Sequence, residues 1–338
     1  MSKKNIAIVM GGYSSEALIS LKSGRTVFEN LDRTIYEPYA IEVLREEWCC
    51  VLENGSKIPV NRADFTLKID DKVIVFDAVF NTIHGTPGEN GLFQAYLELL
   101  DIPQTASDFY QAALTFNKRD CISALKPYGI KTATNYYLNQ GDFVDEKAII
   151  DRVGLPCFVK ANRAGSSFGI SKVYKAENLK KAIAVSFKED DEVIIESFLK
   201  GIEVSVGVVT YNGKAMALPV TEIVSENDFF DYDAKYEGKS QEITPARITP
   251  EQTKLVQAQA ETIFKVLRLK GITRAEFIFH NGTPHFLEVN TTPGLTPASL
   301  IPQQAKVAGI SLQELFGAMI NNVLHNEKTG ENRQKSTH

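Results

Sequence analysis

The chain has 338 residues, of which 43% are hydrophobic and 23% are charged, an ordinary composition for a globular protein. Its length allows two or three domains, each with an ample core. The net charge of −5 gives no bias toward nucleic acid or an anionic membrane, and no apolar run reaches the length of a membrane span.

The N-terminal segment predicts a small α/β domain of parallel strands, because strand–loop–helix units follow one another. Residues 6–10 predict a first strand, since their apolar run of about five residues is too short for a signal peptide. Residues 78–82 predict another strand, which ends in the glycine-rich loop 84–91. Ligands of such domains lie at the carboxyl ends of the strands. The side chains expected there are Glu16, His84 and Glu89, although a loop histidine can also be purely structural.

Beyond about residue 103, the pattern predicts helices and antiparallel strands in an α+β arrangement. The predicted strands cover 157–160, 170–174, 192–196, 204–210 and 215–220, and the predicted helices cover about 107–126 and 177–187. Residues 225–248 are long for a connection, which predicts a functional loop. Thr249 begins a helix with a capping box, which we expect to end at Gly271. The polar tail 326–338 is predicted to be disordered.

The stretch from Arg274 to Asn290 predicts two strands that carry acids toward one point. A two-residue Asn-Gly turn would pair Glu276 with Leu287 and place the acids on opposite faces. A five-residue turn would set Glu276 opposite Glu288, and we favour it. Facing carboxylates repel unless a cation lies between them, and oxygen ligands suit Mg²⁺ bound with phosphates. The stretch therefore predicts a magnesium–nucleotide site; the alternative is a solvated hairpin with two unrelated acids.

Three further segments have the composition of a nucleotide site. In residues 160–169, small residues let backbone amides point at an anion, and Lys160 is placed to neutralise phosphate, although a tight hairpin would look the same. Glu196 lies at the end of a predicted strand and Glu203 at the start of the next, so they can bind an adenine edge and ribose hydroxyls, although an ordinary exposed strand end would look the same. Residues 231–236 form an acidic and aromatic stretch with one lysine, which is either a lid over phosphates or a surface loop.

In combination, these segments resemble the ATP-grasp superfamily and, within it, the D-alanine–D-alanine ligase family, over residues 5–323. The resemblance lies in the order and spacing of the motifs, since each motif alone is weak. The motifs are Gly11-Gly-Tyr-Ser-Ser-Glu16, Ser20-Leu-Lys-Ser-Gly24, His84-Gly-Thr-Pro-Gly-Glu-Asn-Gly91, Val159-Lys-Ala-Asn-Arg-Ala-Gly-Ser-Ser-Phe-Gly169, Asp231-Tyr-Asp-Ala-Lys-Tyr236, Arg274-Ala-Glu276 and Glu288-Val-Asn-Thr-Thr-Pro-Gly-Leu-Thr296.

The resemblance implies an ATP-grasp fold, α/β and α+β in class, with an N-terminal Rossmann-like parallel-sheet domain. The implied divisions are a substrate-binding domain (1–102), a central ATP-grasp subdomain (103–188), a C-terminal ATP-grasp subdomain with the metal site and lid loop (189–325), and the tail (326–338). It also implies a homodimer. The four cysteines lack metal-ligand spacing, which predicts reduced thiols in a cytoplasmic protein.

The implied activity is ATP-dependent ligation of two D-alanines for peptidoglycan precursor synthesis. The γ-phosphate of ATP moves to the carboxylate of the first D-alanine. The amine of the second attacks the acyl phosphate, and the tetrahedral intermediate loses phosphate to leave the dipeptide. ATP would be the co-substrate, together with two Mg²⁺ or Mn²⁺ ions.

The resemblance also implies residue roles, carried over motif by motif. Substrate-binding residues would be Glu16, His84, Arg274, Gly294, Ser299 and Leu300. ATP-binding residues would be Lys118, Lys160, Ser167, Glu196, Phe198, Leu199, Glu203 and Lys235, and the metal ligands would be Glu276, Glu288 and Asn290. Ser166 would link Glu16 to Tyr236 and close the site. Arg274 and the Gly294 amide would stabilise the tetrahedral oxyanion.

Three departures and several alternatives accompany this interpretation. Ala17-Leu18, Asn90 and Ala161 differ from the family's usual residues, but none has a direct chemical role. D-Serine or D-lactate could be the acceptor in place of the second D-alanine. Lys235-Tyr236 matches the D-alanine-using form, and the lactate-using form lacks this tyrosine. The serine-using form is harder to exclude, because few residues distinguish it from the D-alanine-using form. A dinucleotide-dependent oxidoreductase is disfavoured because no G-x-G-x-x-G follows the first strand. A catalytically inert nucleotide-binding regulator is also disfavoured. Such a protein should have lost a metal ligand or Arg274, yet all of these residues are present.

Overall fold

The computed structural model describes residues 2–165, 169–225 and 240–334, and their strands form three sheets. The first sheet has the order β6-β5-β4-β3-β2-β1-β7. Its elements are β1 (Lys4–Gly11), α1 (Ala17–Asn30), β2 (Tyr36–Val43), β3 (Trp48–Val51), β4 (Lys57–Asn61), β5 (Thr66–Ile69), β6 (Lys72–Ile74), β7 (Ala78–Asn81) and α2 (Leu92–Leu99).

The first sheet is parallel only in part. Strand β1 pairs in parallel with β2 and β7, as the sequence predicts, and Ile6 to Val9 are fully buried because both faces of this strand are covered. Strands β3 to β6 extend the sheet as an antiparallel meander, which the sequence analysis did not predict. The two glycine-containing loops after β1 and β7 leave the same edge of the sheet, because these strands are parallel neighbours.

The second sheet is antiparallel and has the order β10-β9-β11-β8. Leu138, Ile149 and Val159 belong to one buried cluster, so helices α5 and α6 pack on this sheet. The elements of this part are α3 (Phe109–Phe116), α4 (Lys118–Leu125), β8 (Asn135–Asn139), α5 (Glu146–Val153), β9 (Cys157–Ala161), β10 (Ser171–Val173), α6 (Leu179–Ser186) and β11 (Glu192–Ser197).

The third sheet is also antiparallel, with the order β15-β14-β12-β16-β17 and β13 beside β12. Its elements are β12 (Gly201–Tyr211), β13 (Lys214–Ala217), β14 (Thr221–Ser225), β15 (Ser240–Ile243), α7 (Pro250–Val266), β16 (Ile272–His280), β17 (Thr283–Asn290), α8 (Leu300–Val307) and α9 (Leu312–Gln334). One buried cluster joins Ile8 and Phe80 of the first sheet to Val209, Ile301 and Phe316. The first and third sheets therefore share a core.

Two predictions about helix ends are corrected by the structure. Thr249 caps α7 with the predicted capping box, but the helix ends at Val266, and Gly271, with a φ of +69°, instead leads into β16. Helix α9 continues to Gln334, so residues 326–334 of the predicted disordered tail are helical, and 335–338 lie outside the described residues. Among the described helices, none combines the length and apolarity that crossing a membrane requires.

Candidate active site

The hairpin of β16 and β17 brings two acids face to face. Its turn is the two-residue Asn281-Gly282, whose φ angles of +50° and +75° suit a tight hairpin turn, so the predicted five-residue turn is wrong. A register shift follows between Glu276 and Phe277, where a β-bulge restores the pairing of Glu276 with Glu288. The facing acids are thus confirmed, by a different route from the one predicted.

Each of the two facing acids has a basic partner. The Nη2 atom of Arg274 lies 2.8 Å from Oε1 of Glu276, and Nζ of Lys118 lies 3.4 Å from Oε2 of Glu288. Glu276 is only 5% exposed. A buried acid of this kind needs compensating positive charge, which arginine, and then a bound cation, can supply.

The residues at this point fit a divalent cation. Within the described ranges, Oε1 of Glu276 is buried and receives no hydrogen bond of acceptable geometry, although Arg274 is near. Oδ1 of Asn290 accepts one hydrogen bond, from the Thr292 amide at 2.8 Å, and an amide oxygen has a second lone pair. Two carboxylates and an amide leave further positions for phosphate oxygens and water, the arrangement that Mg²⁺ favours.

Two adjoining cavities meet at Lys118 and Glu288, which line both of them. The larger, of about 320 Å³, gathers the predicted residues Glu16, His84, Arg274, Asn290, Gly294, Ser299 and Leu300. The smaller, of about 100 Å³, gathers Lys160, Glu196, Leu199, Glu203 and Glu276. The three sheets therefore bring together nearly all the described candidates, although they come from distant parts of the chain.

One end of the larger cavity is built by the loops that follow β1 and β7. Glu16 immediately precedes α1, and a Cβ added to Gly165 would lie 2.9 Å from its Oε2, so the backbone at Gly165 comes close to this carboxylate. His84 is buried, and its Nε2 lies 3.3 Å from Oγ of Ser23. The same Oγ accepts a hydrogen bond from the backbone amide of Leu295 at 3.1 Å. Burial lowers the pKa of His84 while Glu16 opposes this shift.

Glu89 lies at the same end of the cavity and carries a perturbed carboxyl group. Its Oε2 accepts a hydrogen bond from the Gly85 amide at 2.9 Å. Burial, and then the nearby Glu16, raise the pKa of Glu89 to about 8. Glu89 therefore binds its proton at neutral pH in the folded protein without substrate, whereas in an unfolded chain it has lost it.

The raised pKa of Glu89 predicts a pH dependence of stability. Between about pH 4.5 and 8 the folded state holds a proton that the unfolded state has released, so stability falls as pH rises through this window. We expect Glu89→Gln, which mimics the protonated acid, to gain free energy of unfolding relative to the wild type from pH 5 to pH 8. Urea denaturation at both pH values measures this, and a constant difference between the two proteins would contradict it.

The smaller cavity has a buried ion pair on one side and apolar side chains on the other. Nζ of Lys160 lies 2.7 Å from Oε2 of Glu196; burial lowers the pKa of Lys160, but Glu196 outweighs this and the pKa is raised. Leu199 and Glu203 line the cavity, whereas Phe198 is not among its lining residues and instead lies with its ring centroid 6.2 Å from that of Phe158. The remaining apolar lining is formed by Ala133, Phe158, Ile170, Ile278 and Leu287.

The start of α8 forms another part of the wall of the larger cavity. Ser299 occupies the N-cap position, and its Oγ lies 2.8 Å from Oγ1 of Thr296. A Cβ added to Gly294 would lie 2.8 Å from the same Ser299 oxygen, so the chain comes very close here. The free amides at a helix N-terminus favour an anion such as a carboxylate.

Four of the predicted site residues lie outside the described part of the chain, namely Ser166, Ser167, Lys235 and Tyr236. The segment just before Ser166 is held by a hydrogen bond that Nζ of Lys118 donates to the Ala164 carbonyl at 2.8 Å. Five further residues that line the larger cavity were not predicted from the sequence, namely Ile19, Thr115, Phe116, Glu242 and Ala298. None lies in a motif, although Glu242 falls within the stretch 225–248 that was predicted to be a functional loop.

Two family models match this chain. The model described as the D-ala D-ala ligase N-terminus matches residues 5–107, and the one described as the D-ala D-ala ligase C-terminus matches residues 124–321. The chain belongs to the D-alanine–D-alanine ligase family. Its α/β and α+β sheets, with the partly parallel N-terminal sheet, are accordingly those of an ATP-grasp enzyme.

Individual members of the family resemble the chain over nearly its whole length. The D-alanine–D-alanine ligase of Christiangramia forsetii is 62% identical over 323 residues, which cover 96% of this chain and 99% of that protein. The VanG D-Ala:D-Ser ligase of Enterococcus faecalis is 31% identical, with a TM-score of 0.84 over 95% of this chain and all of that one. The Bacillus anthracis D-alanine–D-alanine ligase complexed with ATP is 27% identical, with a TM-score of 0.77 and coverage of 97% and 99%.

Proposed function

We propose that this enzyme ligates two D-alanines to D-alanyl-D-alanine with ATP, for peptidoglycan precursor synthesis. The observation that carries the proposal is the junction of the two cavities at Lys118 and Glu288. One cavity has the size and the charges for two small zwitterions, and the other has the apolar walls and lysines for a nucleotide. The phosphate to be transferred would lie where they meet.

The first substrate is bound at the Glu16 end. The carboxylate of Glu16 holds its ammonium group, and His84 assists. This places the substrate carboxylate toward Lys118, where the γ-phosphate of ATP arrives. Because the two reactants are held side by side where the two cavities meet, phosphoryl transfer becomes effectively unimolecular.

The nucleotide occupies the smaller cavity. Lys160 and Lys118 neutralise its phosphates, Glu196 and Leu199 contact the adenine, and Glu203 binds the ribose. We assign two Mg²⁺ or Mn²⁺ ions to Glu276, Glu288 and Asn290, which would hold them. Metal ions there would supply positive charge against the phosphate oxygens. The ligands on two paired strands keep their spacing, since the backbone ladder holds them.

The second substrate is bound at the α8 end. Ser299, Leu300 and the helix N-terminus hold its carboxylate, so its amine faces the acyl phosphate. Arg274 and the amide of Gly294 stabilise the oxyanion of the tetrahedral intermediate. By the resemblance of their motifs, Ser166 would join Glu16 to Tyr236 in a network that closes the site, and Ser167 and Lys235 would bind ATP.

A second candidate is ligation of D-alanine to D-serine. The likeness to the VanG D-Ala:D-Ser ligase favours it, since that structure aligns with nearly the whole chain. The two acceptors differ by one hydroxyl group, and binding alone discriminates only weakly against a substrate that merely adds a hydroxyl.

The decisive experiment measures phosphate release from ATP by the purified protein with Mg²⁺ and D-alanine, and identifies the product by mass. L-Alanine and a reaction without amino acid are the controls. Release that requires D-alanine and gives the dipeptide is the expected result. Turnover with D-serine as the better acceptor would favour the second candidate, and no D-alanine-dependent release would contradict the proposal.

We also propose a cytoplasmic homodimer, and the domain divisions 1–102, 103–188 and 189–325. ATP and the dipeptide's consumers lie in the cytoplasm, and family membership supports the dimer. Size-exclusion chromatography with light scattering tests the assembly, and a monomer mass would contradict it.

A further inference from the structure

Glu242 is an acid in the larger cavity that the proposed reaction does not yet use. It lies on β15, next to Ile223 of β14, and it reaches the cavity wall that also contains Arg274, Ala298 and Ser299. It is half-buried, and no family motif quoted above includes it.

A glutamine of α8 fixes the position of this acid. Nε2 of Gln303 donates to Oε2 of Glu242 at 3.1 Å and to the Ala298 carbonyl at 2.7 Å. The backbone amide of Gln303 donates a hydrogen bond to the backbone carbonyl of Ser299 at 3.2 Å. Glu242 is therefore tied to the first turn of α8, the place assigned to the acceptor carboxylate.

The two features together suit an amino-acid zwitterion. An α-amino acid carries its ammonium one carbon away from its carboxylate, so a site that binds both needs an anion beside a carboxylate-binding group. The N-terminus of α8 attracts the carboxylate, and Glu242 is the acid beside it. Glu16 instead immediately precedes α1, in the part of the cavity assigned to the first substrate.

We propose that Glu242 binds the ammonium group of the acceptor amino acid and thereby selects an amine over a hydroxyl acceptor. This inference rests on the proposed function. Burial raises the pKa of Glu242 while Arg274 lowers it, so a cation arriving beside it stabilises its charged form. A hydroxy acid of the same shape, such as D-lactate, has a neutral hydroxyl group in place of the ammonium group and therefore cannot form an ion pair with Glu242.

The test offers D-alanine and D-lactate together and measures the ratio of dipeptide to D-alanyl-D-lactate by mass, with KM and kcat for the acceptor D-alanine. For Glu242→Gln we expect the acceptor KM to rise about tenfold, and the ratio to fall about tenfold, since one charged hydrogen bond is weakened. Glu242→Asp keeps the charge and should keep a ratio close to that of the wild type. Glu53→Gln, at an exposed turn, is the control for loss of one negative charge.

Three results would overturn the inference. An unchanged ratio in Glu242→Gln would do so, and so would a kcat that falls equally with both acceptors, which would mean that Glu242 acts through Arg274. If Glu242→Gln does not fold, Gln303→Ala removes the hydrogen bond that aims the acid, and an unchanged ratio there overturns it equally. A wild-type protein without D-alanine-dependent phosphate release would overturn the proposed function and this inference together.

Discussion

Replacing Arg274 with lysine is expected to lower kcat by about 10²- to 10³-fold, the loss typical of removing a donor to a developing oxyanion. Lysine keeps the charge beside Glu276, where Nη2 of Arg274 now lies 2.8 Å from Oε1, so folding should survive. It loses the planar fork of donors that can hold an oxyanion and a phosphate oxygen at once. Phosphate release at saturating ATP and D-alanine measures the effect.

The matched control for this substitution is Arg247→Lys. Arg247 also pairs with a glutamate, with its Nη2 2.8 Å from Oε1 of Glu222, but neither residue lines the two cavities. Its kcat should stay close to that of the wild type, although some stability is lost. Full kcat in Arg274→Lys, or equal losses in both variants, would remove Arg274 from the role of oxyanion donor.

Glu288→Gln is expected to abolish turnover at ordinary Mg²⁺ concentrations. The substitution keeps the shape of the side chain but removes a negative charge where it faces Glu276 and adjoins Lys118. Without that charge, the cluster would attract a divalent cation less strongly, and Mg-ATP would bind less tightly. Phosphate release across a series of Mg²⁺ concentrations measures this, with the thermal shift on adding Mg-ATP as an independent measure of binding.

Glu203→Gln is the matched control, because Glu203 lines the same smaller cavity but is assigned to the ribose. It should raise the KM for ATP without changing the Mg²⁺ dependence. Glu276→Gln should behave as Glu288→Gln does. Full activity of either metal-ligand variant at ordinary Mg²⁺ would contradict the metal assignment.

The hairpin around Asn281-Gly282 illustrates how far local sequence reaches. The Asn-Gly pair is a strong local signal for a two-residue turn, and the structure has this turn. A regular ladder from this turn would pair Glu276 with Leu287 and separate Glu276 from Glu288. The structure satisfies both the turn and the facing acids by a bulge next to Phe277, a feature that depends on how the strand packs and not on the turn residues.

Other elements likewise separate into those that local sequence predicts and those that depend on tertiary packing. The capping box at Thr249 was predictable because its two hydrogen bonds join residues three apart. The antiparallel meander from β3 to β6 was not, since Trp48 and Phe65 beside its short strands pack on each other and on the rings of Phe76 and Phe93, which are distant in sequence. Helix α9 extends past the polar residue Asn326, where composition alone suggested disorder.

The sequence by itself determined the family, the α/β and α+β class, and most of the candidate residues, because glycine loops, paired acids and lysines recur at fixed spacing in motifs. Only the tertiary structure decided that two cavities meet at Lys118 and Glu288, and that Glu89 is buried beside Glu16. It alone placed Glu242 beside the first turn of α8. Those relations join residues far apart in the chain, and they arise from how three sheets pack, which no local pattern encodes.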